Sequence, residues 1–285
     1  MERQEGLVTV DGHRMRYLRA GSGPPLLVIH GMLGYSFSWR LNEASLAQRS
    51  TFYAVDLLGV GDSDRPRGLD YGLRAQARRM LRVMDELGMT SADVLGSSHG
   101  GALAMMMAAL AAEEGRPRVE RLILAAPANP WSKHGKILSR VLGSAPLRWL
   151  LPAPMRWFTP LCGGWFLGRM YGDCRRIPPG TVEGYVRPVL VPGSFEYALD
   201  ILRTLRRDLH EMAGLLRHIA YLPTLLLWGT RDPIVLPDSI APLRACFRQS
   251  DLILLEGAGH LPYEECPQEF NRAVSKFLAG ASRRA

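Results

Sequence analysis

The stretch DVLGSSHGGALAMMMAAL, residues 93–110, leaves few folds open. It begins as a short apolar, β-prone run. It ends as a segment apolar on every side of a helix, and such a helix must be covered all round. The apolar run GALAMMMAALAA is too short to cross a bilayer, so it reads as a buried core helix. Between strand and helix stand three glycines, two serines and a histidine, far more than a turn requires.

The rest of the 285-residue chain repeats the same rhythm. PPLLVIHG, STFYAVD, ADVLG and RLILAAP are short, continuous apolar runs, the pattern of strands covered on both faces. LVTV and MRYLRA flank Asp11-Gly12-His13, which signals a hairpin. YGLRAQARRMLRVMDELG carries Leu73, Ala77, Met80, Met84 and Leu87 at helical spacing and stops at Gly88. This alternation predicts an α/β fold, a mostly parallel sheet with helices on both faces. After Pro127 it breaks. Residues 128–218 hold prolines, short helical pieces and four of the six tryptophans, and SFEYALDILRTLRRDLHEM, opened by Ser194, reads as their longest helix. The strand–helix alternation resumes with TLLLWGT, DLILLEG and CPQEFNRAVSKFLAG. The expected organisation is a core of residues 1–127 and 219–285, with 128–218 inserted as an α-helical module.

Composition excludes several classes of function. With 47% hydrophobic and 22% charged residues the chain is not a disordered one. Cys162, Cys174, Cys246 and Cys266 match no zinc or redox spacing, so neither metal nor cofactor is expected. The net charge of +8 is concentrated: residues 131–217 hold 13 Lys and Arg against 6 Asp and Glu. No nucleic-acid motif accompanies it, which leaves a solvated basic face or attraction of anionic substrates or lipid surfaces. The charged amino terminus lacks the apolar core of a secretion signal, so a soluble cytoplasmic protein is expected.

Gly96-Ser97-Ser98-His99-Gly100 fits G-x-S-x-G between a strand and a helix. A side chain at the tip of such a turn stands above the sheet on strained backbone, and the flanking glycines let strand and helix pass closely. Ser97 lacks that glycine spacing and is the weaker nucleophile. A serine nucleophile needs a base, and the base an orienting acid. Asp232, in LLLWGTRDP, and His260, in LEGAGHLPYEE, follow the last two apolar strands. Parallel strands end along one edge, so Ser98, Asp232 and His260 converge there, in the chain order Ser, Asp, His.

With these residues the sequence resembles an α/β-hydrolase over nearly its whole length. IHGMLGYSFSW is similar to the family's oxyanion loop, and VDLLGVGDSDRP to its Asp-x-x-Gly-x-Gly-x-Ser loop. The resemblance implies an oxyanion hole made by the backbone N–H groups of Met32 and His99. It makes His30 a holder of the loop and the insertion a cap over the nucleophile. It also implies a serine hydrolase of carboxylic esters with apolar acyl or aryl groups, acting on a small molecule without a cofactor. Relatives that open epoxides or cleave carbon–halogen bonds use Asp where this chain has Ser98. Carbon–carbon hydrolases share the Ser-Asp-His set but usually carry Gly-Pro-Gly where Met32-Leu33-Gly34 stands. That activity, an acylglycerol lipase, and a non-catalytic receptor on the same fold stay open as alternatives. Three placements are open for Trp149, Trp157 and Trp165: packing the cap onto the sheet domain, binding the apolar substrate, or meeting a membrane surface.

Overall fold

The computed structural model describes residues 3–132 and 150–280. Its strands are β1 (Arg3–Val10), β2 (His13–Ala20), β3 (Pro25–Ile29), β4 (Thr51–Val55), β5 (Ala92–Ser97), β6 (Val119–Ala125), β7 (Thr224–Gly229) and β8 (Ser250–Leu255). They form one sheet in the order β1-β2-β4-β3-β5-β6-β7-β8. β1 and β2 are antiparallel, joined through Asp11 and Gly12, whose φ values of 56° and 77° match the two left-handed positions of a tight hairpin. β2 pairs antiparallel with β4, and β3 to β8 run parallel.

Nine α-helices are described: α1 (Glu43–Leu46), α2 (Leu73–Glu86), α3 (His99–Glu113), α4 (Pro152–Met170), α5 (Thr181–Val189), α6 (Ser194–Leu215), α7 (Ile240–Arg244), α8 (Pro262–Glu265) and α9 (Pro267–Gly280). The alternation of side chains along the strands divides the core in two. Leu27 and Ile29 of β3 face a cluster with Met80 and Met84 of α2 and Leu103 and Met106 of α3. Leu26 and Val28 face the other side, with Trp39, Phe270 and Val274. Both faces are covered, which is why these strands read as unbroken apolar runs.

α4, α5 and α6 follow β6 and precede β7, in the span where the strand–helix rhythm breaks. They do not behave alike. Tyr197, Ile201, Leu209 and Met212 of α6 join the same cluster as α2 and α3. The buried Asp208 carboxylate accepts the Leu73 N–H at 3.0 Å, pairing one of the donors that α2 leaves open at its start. α4 stands apart, with only Pro152 and Leu167 buried. No described helix is long and apolar enough to cross a membrane.

Candidate active site

The β5–α3 turn answers the density of glycines. Ser98 takes φ 51° and ψ −118°, a conformation costing an L-residue about 1–3 kcal/mol. Its N–H donates to the Ala125 carbonyl at 3.0 Å, and its own carbonyl accepts from Gly101, Ala102 and Ala128, so the turn is held from both sides. A Cβ on Gly96 would run into Gly100 and one on Gly100 into the Ile29 and His30 carbonyls. Glycine at both positions is what lets α3 start directly beneath the strand ends. Ser97 is wholly buried, whereas Ser98 is half-buried at the tip.

Gly31 passes directly over that tip, since a Cβ on it would lie 3.3 Å from the Ser98 Cβ. Gly31 to Gly34 form a tight turn closed by the Gly34 N–H on the Gly31 carbonyl at 3.0 Å, with Leu33 at φ 60°. Met32 sits in this turn. The His99 N–H, at the first position of α3, is among the donors a helix leaves unpaired. Met32 follows Gly31, which lies over Ser98, and His99 follows Ser98 in the chain. His30 holds the turn: its Nδ1–H donates to the Gly31 carbonyl at 2.8 Å and its Nε2 accepts the Leu57 N–H at 3.1 Å. Both ring nitrogens are occupied, and burial pushes its pKa down, so it stays neutral. Asp56 anchors the neighbouring loop by accepting the N–H groups of Ser36 at 2.6 Å and Asp62 at 3.0 Å.

Asp232 and His260 meet. His260 Nδ1 lies 2.9 Å from Asp232 Oδ2, and both side chains are buried. Asp232 Oδ1 also accepts the N–H groups of Ile234 at 2.8 Å and Val235 at 3.0 Å, which fixes the carboxylate. A carboxylate on Nδ1 selects the tautomer that leaves Nε2 able to take a proton. β5, β7 and β8 end on the same edge of the sheet, and Ser98, Asp232 and His260 follow them. The side chain of His99 does something else: burial, with His30 nearby, lowers its pKa to about 4, and it packs inside.

A ring of polar groups behind His260 has no counterpart in the sequence reading. The Glu264 carboxylate, fully buried, accepts from Arg40 at 2.9 Å, from the Tyr171 hydroxyl at 2.8 Å and from the Tyr185 hydroxyl. Glu265 accepts the N–H of Gly259 at 2.6 Å together with those of Gly172 and Asp173. The His260 N–H donates to the Met170 carbonyl at 2.7 Å. The segment between β6 and β7 is thereby bolted to the loop that carries His260. Two consecutive acids after a proline, in an otherwise apolar segment, were the available signal.

Two of the three cap tryptophans can be placed, Trp157 and Trp165. Trp149 lies outside the described residues. Trp157 and Trp165 are 80% and 68% exposed on α4. The inner face of α4 is taken by small residues: Gly163 and Gly164 face Val186 and Val182 of α5.

A family profile for the alpha/beta hydrolase fold matches residues 24–267. The chain belongs to the α/β-hydrolase family. This hydrolase is 30% identical to haloalkane dehalogenase 2 of Mycobacterium tuberculosis, over 92% of this chain and 90% of that one. It is 27% identical to lipase 1 of Psychrobacter immobilis, over 93% and 80%. Among solved structures it superimposes on the epoxide hydrolase CorEH with a TM-score of 0.82, at 24% identity and over 98% and 99% of the two chains. Hydrolysis is the activity that membership supports.

Proposed function

We propose that the protein is a serine hydrolase of carboxylic esters bearing apolar acyl or aryl groups. The observation that carries this reading is the Asp232–His260 contact of 2.9 Å, on the same sheet edge as a half-buried serine on a strained strand-to-helix turn. Ser98 Oγ attacks the ester carbonyl carbon as its proton passes to His260 Nε2. The carbonyl oxygen takes the negative charge and receives hydrogen bonds from the Met32 and His99 N–H groups. Collapse of this intermediate breaks the carbon–oxygen bond, and the imidazolium returns the proton to the leaving alcohol. Water then attacks the acyl-serine with the same proton traffic, releasing acid and free Ser98. Each oxyanion donor is worth about 100- to 1,000-fold in rate.

A serine at the nucleophile position favours this chemistry over that named for the dehalogenase and epoxide hydrolase relatives, and it suits the lipase. The test is steady-state hydrolysis of p-nitrophenyl acetate, butyrate, octanoate and palmitate beside the Ser98→Ala variant. Saturable turnover that the variant loses supports the reading, and the preferred chain length sizes the pocket. Turnover equal in both proteins overturns it. A vinylogous diketone cleaved where the esters are not would move the assignment to carbon–carbon hydrolysis.

A further inference from the structure

α4 is built inside out for a helix on a water-facing surface. Trp157, Phe158, Leu161, Trp165 and Phe166 recur at helical spacing and are all exposed, Leu161 at 81%. The side facing the protein is the one with glycines. A surface helix in water does the reverse, and monomers rarely leave an apolar face of this kind open. An occupant is therefore implied, and charge says which. α4 carries Arg156 and Arg169 and no Asp or Glu, in a chain with 27 acids, and Arg156 lies 3.9 Å from Glu196 of α6. On α4 itself the Arg169 guanidinium lies over the Trp165 ring, 5.5 Å from its centroid. Tryptophan with arginine on one apolar helix face is the chemistry of the headgroup layer, where rings sit at the acyl boundary and guanidinium groups reach phosphate. A second copy of the chain suits the face poorly, because α4 carries Arg156 and Arg169 and no acid of its own with which to pair a copy of itself.

We propose that α4 docks the protein on the surface of an anionic bilayer, with Trp157, Leu161 and Trp165 entering the boundary of headgroups and acyl chains and Arg169 pairing with lipid phosphate. The consequence for the site is direct. α4 ends at Met170, whose carbonyl accepts the His260 N–H at 2.7 Å, so the docked helix terminates on the loop of the candidate base. The docking does not depend on the ester-hydrolase reading, and its test measures binding alone, so failure of one is distinguishable from failure of the other.

The experiment is co-sedimentation of the full chain with vesicles of phosphatidylcholine, alone or doped with phosphatidylglycerol. Binding to the doped vesicles that weakens with added salt is expected. The triple variant Trp157→Ser, Leu161→Ser, Trp165→Ser binds at least about tenfold more weakly, since it gives up most of the buried apolar area. Arg169→Glu, which keeps the apolar face, loses about fivefold or more on anionic vesicles only. Circular dichroism checks that each variant is folded. Wild-type protein that ignores doped vesicles, or a folded triple variant that binds them equally well, overturns the proposal. A concentration-dependent dimer in sedimentation velocity that the triple variant abolishes would assign the face to a second copy and overturn it too.

Discussion

α3 and α4 are both long, apolar and poor in charge, yet thirteen of the fifteen residues of α3 are buried against two of the nineteen of α4. Neither helix tells its faces apart by polarity. In α3 this has a simple resolution: sheet, α2 and α6 surround it, so every side of it is core. In α4 the small residues decide. Glycines at 163 and 164 let one side lie close on α5, and the bulky side chains are left pointing away. The lesson is that apolar content specifies that a helix must be covered, and the placement of its smallest residues specifies from which side the protein itself does the covering.

The largest test of this contrast concerns what α3 supports. Ser98→Ala should cost about a million-fold in turnover of a soluble ester, and Asp232→Asn about ten-thousand-fold by leaving the imidazole in the wrong tautomer. Stopped assays against purified wild type measure both. A loss of only tenfold in either would detach the reaction from the β5–α3 turn.

Stability separates the helices next. Leu103→Ala, in the middle of α3, should cost about 2–5 kcal/mol in urea melts, as a buried leucine does when a cavity replaces it. A further term is acid sensitivity. His99 is held neutral by burial, with a folded pKa of about 4 against the ordinary 6.5. The unfolded chain takes up that proton first, so stability rises with pH between those values and is lost as the solution is acidified through them. The size is on the order of 3 kcal/mol, and His30, shifted the same way by burial, adds to it. His99→Asn should flatten the slope, and melts across that window measure it. The smallest effect belongs to α4: Leu161→Ala should stay within about 0.5 kcal/mol of wild type in the same melts. A cost like that of Leu103→Ala would mean the face is covered by the chain itself.

Much of this was readable in the sequence, for physical reasons that differ by region. The strands were legible because both faces are buried, and unbroken runs such as LLVI betray it. The pairing of Asp232 with His260 was legible because parallel strands end on one edge. The hydrogen bonds of His30 follow the reading of it as a loop holder. The direction of α4 was not legible, because an apolar face of Trp157, Phe158, Leu161, Trp165 and Phe166 is by its pattern the face a helix buries, and periodicity carries no sign. Nor were Glu264 and Glu265, since what makes them structural is a set of partners about 80 to 220 residues away in the chain, Tyr185, Asp173, Gly172 and Arg40.

Burial pushes the Glu265 carboxyl up in pKa, and the three N–H groups it accepts, from Gly259, Gly172 and Asp173, oppose that shift. Two of those donors belong to the insertion and one to the turn before His260. The insertion is therefore not an interchangeable cassette. A chimaera that swapped in another protein's helices and cut at residue 172 would strand a buried acid and untie the turn that presents the imidazole. A graft that keeps Met170, Tyr171, Gly172 and Asp173 and changes only what precedes them leaves that joint whole, which makes the body of α4 the exchangeable part of the molecule and its last residue with the few after it the fixed one.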